Sequence, residues 1–136
     1  MSFKLKKGKC KVEWLDVTVS TALVKDTLVE WTSGYIAGAD DNDTDIAGVL
    51  LKTIATTDSD YATARKVPVL VPIEKHVVWE ADTADTFVQA SHCGVEVGIV
   101  DSANLDLDDT TNDVFKIIGG SGSKIRGYLK VNGGAY

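Results

Sequence analysis

The sequence alternates with a period of two along much of its length, which is the side-chain spacing of a β-strand and not of a helix. Charged and apolar residues take turns over residues 7–14 and again over residues 124–131. Between these stretches lie short segments rich in β-branched and aromatic residues, namely DVTVS, TLVEW, IAGVLLKTI, KVPVLV, KHVVWE, GVEVGIV and VFKII. Such segments predict a predominantly all-β chain whose strands each carry one apolar face.

Turn-forming residues separate these segments. They stand at Ser33-Gly34, 39–45, Asp101-Ser102, 106–113 and 119–123. Short strands with regular turns predict a small antiparallel β-barrel or a β-sandwich. Two prolines at positions 68 and 72 flank residues 69–71, which favours an edge strand or a strand entry there.

At most one or two short helices fit the pattern, and one is predicted over residues 84–92. Asp82 or Thr83 could cap its N-terminus, and Gly94 stands where a left-handed C-terminal cap is expected. A helix of this length is marginal alone, so we expect packing on the barrel to hold it.

Length and composition place the chain among globular proteins. Its 136 residues fit one domain, with 44% hydrophobic and 25% charged residues. Two cysteines, Cys10 and Cys93, do not make a disulfide framework; they could pair, but free buried thiols are the favoured interpretation. Acids and threonines interrupt every apolar run near the N-terminus, so no signal peptide is predicted, and we expect a protein made and kept soluble in a cytoplasm.

Charge is distributed unevenly along the chain. Five of the fourteen basic residues lie within the first eleven positions, and no acid occurs before Glu13. Residues 12–136 carry nine basic and twenty acidic side chains, a formal charge of −11. The sequence therefore predicts a basic N-terminal arm, 1–11, on a single acidic β-barrel-like domain, 12–136.

The basic arm is the best candidate for a binding segment. Alternating lysine and apolar residues suit an extended strand or tether that pairs with the sheet edge of an acidic partner protein. A disordered, solubilising terminus remains the alternative. Nucleic-acid binding is disfavoured, because Arg65 and Arg126 are the only arginines and the acidic body would repel phosphates. The candidate residues are the electrostatic contacts Lys4, Lys6, Lys7, Lys9 and Lys11 and the apolar anchors Phe3 and Leu5.

The arm hypothesis leads to one expectation about folding. A tether that only contacts a partner is dispensable for the body, so deletion of residues 1–11 should leave the fold intact and weaken attachment.

Residues 39–45 contain four aspartates that look at first like a calcium loop. Numbering from Asp41 puts Ile46 where such a loop needs glycine and Lys52 where it needs glutamate. A solvated hairpin loop is the better interpretation, and the same holds for residues 106–113. No metal site is predicted.

No catalytic or cofactor site is predicted either. His76 and His92 are the only histidines, and the His92-Cys93 dipeptide supplies too few ligands for zinc and lacks the third group of a nucleophilic site. The glycines of residues 119–123 lead into a strand, whereas phosphate loops lead into a helix, so this is a flexible hairpin loop. The expectation is a protein that is not an enzyme.

The order of segments in residues 20–132 resembles that of the small head-decoration, or cement, proteins of tailed bacteriophages and related prophage-encoded capsid accessory proteins. The likeness lies in Gly48-Val49 of IAGVLL, in Asp60-Tyr61 before a valine-rich strand, in VVWEAD at 77–82 and in GVEVGIVD at 94–101. The lysine strand at the N-terminus matches no pattern of that family.

The resemblance implies a β-barrel or β-tulip-like fold without an active site. It implies binding to the exterior of the expanded capsid, at junctions between major capsid protein subunits, frequently as a homotrimer. The partner would be the major capsid protein, with no nucleic acid, membrane or cofactor, and the protein would reside on the virion. A tail or spike component, or a β-sandwich that binds carbohydrate or peptide, is the alternative; for the latter, all three tryptophans fall in apolar patterns, so core packing is expected for at least two.

Overall fold

A computed structural model describes residues 2–134 and 136, so Met1 and Ala135 of the predicted segments lie outside the described residues. These residues form two small β-barrels. The first contains β2 (Cys10–Val17), β3 (Leu28–Thr32), β4 (Tyr35–Gly38), β5 (Ile46–Leu50) and β6 (Arg65–Pro72). The second contains β1 (Phe3–Lys7), β7 (Val78–Thr83), β8 (Glu96–Ile99), β9 (Asn104–Asp106), β10 (Phe115–Ser121) and β11 (Lys124–Leu129). The prediction of a predominantly all-β small barrel is confirmed.

The first barrel closes in the order β2-β4-β3-β5-β6. Its longest contact joins β2 to β6 antiparallel, from Cys10 opposite Pro72 to Val17 opposite Arg65. The odd-numbered residues of both strands face inward, because Val17, Val67 and Val69 are almost fully buried in the barrel core. The even-numbered residues of β2 and β6 therefore face outward.

The second sheet runs β1-β7-β11-β10-β8-β9 and returns on itself, because β9 also pairs with the end of β7 in parallel. Trp79 and Phe115 are fully buried in its core. Leu28, Ile46 and Val49 of the first barrel belong to the same cluster. One packed core therefore joins the two barrels, which explains why all five residues of β5 are buried.

The predicted turns are found where two consecutive strands pair with each other. Ser33 and Gly34 have φ values of 50° and 86° and form the two-residue turn between β3 and β4. Residues 119–123 are confirmed as a hairpin connection between β10 and β11, although Gly119 and Gly120 lie within β10 itself. The loop at 39–45 is not a hairpin, because β4 and β5 lie on opposite sides of β3.

The predicted edge strand at 69–71 is wrong, since β6 pairs with both β2 and β5. The pairing with β5 tolerates the prolines because it is short. The carbonyl of Pro68 accepts a hydrogen bond from the Leu51 N–H at 3.0 Å, a contact that requires no donor from proline. At Gly48 the strands approach so closely that a Cβ would lie 2.6 Å from the Leu70 carbonyl oxygen.

The predicted helix at 84–92 is largely wrong, because only α1 (Gln89–His92) is helical. Thr83 does not cap it: its hydroxyl donates to the Leu105 carbonyl at 2.9 Å from within β7. Phe87 donates its N–H to the Gly122 carbonyl at 2.9 Å, which holds the preceding segment against the β10–β11 hairpin. Gly94 does adopt the predicted left-handed conformation, with φ 85°. No helix among the described residues is long and apolar enough to cross a membrane.

Candidate functional site

The five N-terminal lysines are exposed but do not belong to a free arm. Lys4, Lys6 and Lys7 lie on β1, and Lys11 lies on β2, with Lys9 in the short link between them. β1 pairs antiparallel with β7 of the same chain, from Phe3 opposite Ala81. The predicted boundary after residue 11 falls inside β2, so this segment is a part of both barrels and not a tether.

Phe3 cannot be an anchor for a partner. Its side chain is 1% exposed, and its ring meets that of Phe115 edge-on with centroids 6.4 Å apart. Leu5 is half-buried and packs against the same core. The prediction that Phe3 is an apolar anchor is therefore wrong, and the side chain of Leu5 is largely unavailable to a partner. The reason is that β1 uses its apolar face to complete the second barrel.

The predicted pairing of this segment with a partner's sheet edge is also restricted. One side of β1 is occupied by β7. On the backbone, the Phe3 N–H donates to the Asp26 carbonyl at 2.9 Å. The lysine side chains, and not the main chain, are thus the more available groups for a partner.

Most of these ammonium groups have no ion-pair partner among the residues that the structure describes. Among the described residues, Lys4, Lys6, Lys7 and Lys9 make no ion pair. Only Lys11 does, with its Nζ 2.5 Å from Glu13 Oε1. Unpaired exposed ammonium groups on a fixed strand are available to an acidic surface without breaking an existing contact.

The acidic stretches of the sequence come together in space. Asp40 forms an isolated β-bridge with Asp101, and the Asn112 amide donates to the Asn42 amide oxygen at 3.0 Å. The loops joined in this way carry nine carboxylates, at Asp40, Asp41, Asp43, Asp45, Asp101, Asp106, Asp108, Asp109 and Asp113. The sequence did not predict this convergence, and it gives the protein an acidic region distinct from the lysine strands.

The loop at 39–45, for which the sequence predicts no metal site, uses a carboxylate to hold its own backbone. Asp43 accepts a hydrogen bond from the Asp40 N–H at 2.7 Å, and so serves the loop backbone. A different trio, Asp85, Asp106 and Asp108, has carboxylate oxygens within 4.8 Å of one another and could in principle hold a hard cation. Asp85 already accepts the Leu107 N–H at 3.0 Å, and we assign no ion to the trio.

The cysteines and histidines are separately engaged. Both thiols are free, as predicted, but only Cys10 is half-buried and Cys93 is exposed. Burial, reinforced by Glu74, raises the pKa of Cys10 to about 11, so it is a protonated thiol near neutral pH. His92 Nδ1 accepts the Val88 N–H at 2.9 Å, and the His76 ring lies 4.8 Å from that of Tyr128.

Two surface depressions lie beside titratable side chains. One of about 540 Å³ lies where the two barrels adjoin, lined by Lys11 and Val71 of the first barrel, Leu129 of the second, and Tyr136. Burial raises the pKa of the Tyr136 phenol, whose hydroxyl has no hydrogen-bond partner among the described residues. The other, of about 650 Å³, is lined by Arg65, which is held in ion pairs with Asp58 and Asp60.

The sequence pattern correctly predicted that the apolar residues of β2 share one face. It did not show that this face is the outer face of the barrel. Trp14 is 60% exposed and Val12 is 49% exposed. They lie opposite Pro68 and Leu70 of β6, which are half-buried. Trp79 is buried, and Trp31 is half-buried with its indole N–H donated to Asn132 at 2.8 Å, so two of the three tryptophans do pack in cores.

Comparison with known proteins found no match: no protein-family model, no curated protein and no solved structure is similar to this chain at a significant level. The likeness to capsid decoration proteins therefore rests on the motifs in the sequence.

Proposed function

We propose that this chain is a non-enzymatic virion protein that binds the exterior of an expanded phage capsid and stabilises the shell. The major capsid protein is the proposed partner, contacted at the junctions between its subunits. The order of motifs in residues 20–132 suggests the family, and one structural observation supports the binding role. That observation is the set of exposed, unpaired lysines on β1 and on the link to β2.

The lysines are suited to this role because the folded body holds them in place. A flexible arm would lose conformational freedom on binding, whereas residues fixed in a strand lose less. Their charge opposes the net charge of −6 carried by the chain as a whole. An acidic partner surface would thus be attracted to the lysine strands and repelled from the acidic loops, which orients the encounter.

Stabilisation of a shell requires no chemistry. A ligand that binds only the assembled state shifts the equilibrium toward it, and many copies add their contributions. An interface of standard size, roughly 1,200–2,000 Å² in total, is sufficient for each copy to bind specifically.

Co-sedimentation with undecorated, expanded capsids from the source virus tests the proposal. We expect saturable binding in a fixed ratio to the major capsid protein, weaker at moderate than at low salt. Replacement of Lys4, Lys6 and Lys9 by Gln should weaken binding about tenfold, from three contacts of roughly 0.5 kcal/mol each.

The matched control replaces three lysines on other strands and loops, Lys52, Lys66 and Lys116, by Gln and so changes the net charge equally. It should bind nearly as the parent does. Equal weakening by both variants would reject the lysine surface, and no binding at either salt would favour a tail or spike component.

The exposure of Trp14 supports one second candidate, a carbohydrate-binding module, since sugar sites present aromatic faces on a surface. Titration with sugars while tryptophan fluorescence is recorded distinguishes the two. Saturable quenching that is lost in Trp14→Ala would favour this candidate over the shell-binding role.

A further inference from the structure

The outer face of the second barrel continues the lysine surface of β1 onto two neighbouring strands. Trp79 of β7 and Ile125 of β11 are buried in the barrel core, so the residues next to them in sequence face outward. Strand pairing places Lys4 opposite Glu80, and Glu80 opposite Arg126. Directly paired residues project from the same side of a sheet, so these three form one row across the outer face. Lys4 and Arg126 are exposed, and Glu80 is half-buried.

Arg126 differs from the other arginine of the chain in its surroundings. The Arg65 guanidinium is held in ion pairs with Asp58 and Asp60, and its side chain is 13% exposed. Arg126 makes no ion pair among the described residues, and neither does the adjacent Glu80. A carboxylate from outside the chain can therefore reach the Arg126 guanidinium without displacing an existing ion pair.

Gly119 of β10 gives the Arg126 guanidinium room to lie against the backbone of the next strand. The two residues pair directly, and a Cβ at position 119 would lie 2.6 Å from Arg126 Nη2. Gly119 does not have a positive φ, so its backbone conformation does not require glycine, whereas the close approach of the guanidinium does. A side chain that is already packed loses less conformational freedom when it binds.

We propose that Arg126 binds a carboxylate of the acidic partner protein, and that this partner docks on the outer face of β1, β7 and β11. The planar guanidinium can donate two parallel N–H groups to the two oxygens of one carboxylate, a geometry that an ammonium group cannot provide. This inference rests on the acidic protein partner of the proposed function. It extends the contact surface from the lysines to β11 and assigns the carboxylate contact to one residue.

The order of charges across this face favours a protein over a nucleic acid as the partner. Glu80 stands between Lys4 and Arg126. In the next row, Lys124 is ion-paired with Asp82. A protein surface can present a base to Glu80 beside a carboxylate for Arg126. The backbone of a nucleic acid is uniformly negative, so the acids on this face would repel it.

Nuclear magnetic resonance tests this site on the whole chain without a capsid, because Arg65 and Arg126 are the only arginines and give two side-chain Nε–H signals. The probe is a terminally blocked octapeptide of alternating Glu and Lys, added at constant ionic strength. We expect the Arg126 signal to shift saturably and the Arg65 signal to stay in place. No shift at Arg126, equal shifts at both arginines, or tighter binding of an oligothymidylate of the same length would overturn the proposal.

Co-sedimentation with expanded capsids tests whether the same residue contacts the proposed partner. Arg126→Lys keeps the charge and loses the planar fork, so it should weaken binding about fivefold. The matched control Arg65→Lys should bind as the parent does, and circular dichroism checks that both variants fold. Equal binding by Arg126→Lys and the parent would overturn this inference and leave the proposed function in place. A parent that does not bind would overturn the proposed function, and the peptide titration alone would then decide for or against the carboxylate site.

Discussion

The strands β1 and β2 have the same kind of sequence and opposite relations to the core. Both alternate charged with apolar residues, yet β1 buries Phe3 at 1% exposure, whereas β2 leaves Trp14 60% exposed. The difference arises from what lies behind each strand. The apolar side of β1 completes the second barrel, while the inner side of β2 is already supplied by Leu15 and Val17. Alternation therefore reveals that residues share a face and leaves open which face is inside.

Deletion of residues 1–11 would test this comparison most severely. It removes all of β1 and the first two residues of β2, so the second barrel loses Phe3 and an edge strand of its sheet. We expect the truncated chain to lose cooperative unfolding and to expose hydrophobic surface, in contrast to the intact fold that a free arm would leave. Circular dichroism and dye binding measure this directly.

A truncated protein that unfolds with the midpoint of the parent would show that β1 contributes no stability. The strand would then be the dispensable arm expected from charge alone. The lysine substitutions described above avoid this problem, because Lys4, Lys6 and Lys9 are exposed and their side chains can change without emptying the core.

Much of the fold could be predicted because it depends on neighbouring residues. The alternation of residues 124–131 predicted the buried Ile125 and Leu129 of β11, and Ser33-Gly34 predicted a tight turn. These features follow from side-chain period and backbone preference, which are local properties.

The acidic region was harder to predict because it depends on residues far apart in sequence. Asp40 and Asp101 meet only through the packing of two barrels, and nothing near either residue signals the other. Phe3 did carry a signal, since its alternation with Lys4 continues the pattern of a half-buried strand. The concentration of charge in the first eleven positions favoured an arm instead, although exposed lysines are compatible with either.

Single substitutions in β1 and β2 measure how much each apolar side chain contributes to the free energy of unfolding. Phe3→Ala removes a buried ring and should lower the free energy of unfolding by about 3–5 kcal/mol. Trp14→Ala should change it by about 0.5 kcal/mol or less, because the side chain is mostly in water already. Both are measured by urea unfolding. Similar losses at the two sites would mean that Trp14 packs within its own chain.

A smaller effect than that of Phe3→Ala is expected from a carboxylate in the first barrel. Burial raises the pKa of Glu30 to about 7, and nearby Asp43 adds to the shift. The folded state thus holds a proton that the unfolded state releases near 4.5, so stability should fall as pH rises from about 4.5 to 7.

Replacement of Glu30 by Gln should flatten this dependence by about 1 kcal/mol, because solvent near the half-buried side chain screens part of the interaction. The amide keeps the hydrogen-bond acceptor for Thr32 and removes the titration. Below about pH 4 the lowered pKa of Asp109, whose carboxylate accepts the Asn112 and Thr111 N–H groups, should cause a separate loss of stability in both proteins. Urea unfolding of parent and variant from pH 3 to 8 distinguishes the two windows, and an unchanged slope between 4.5 and 7 would place the titration on another group.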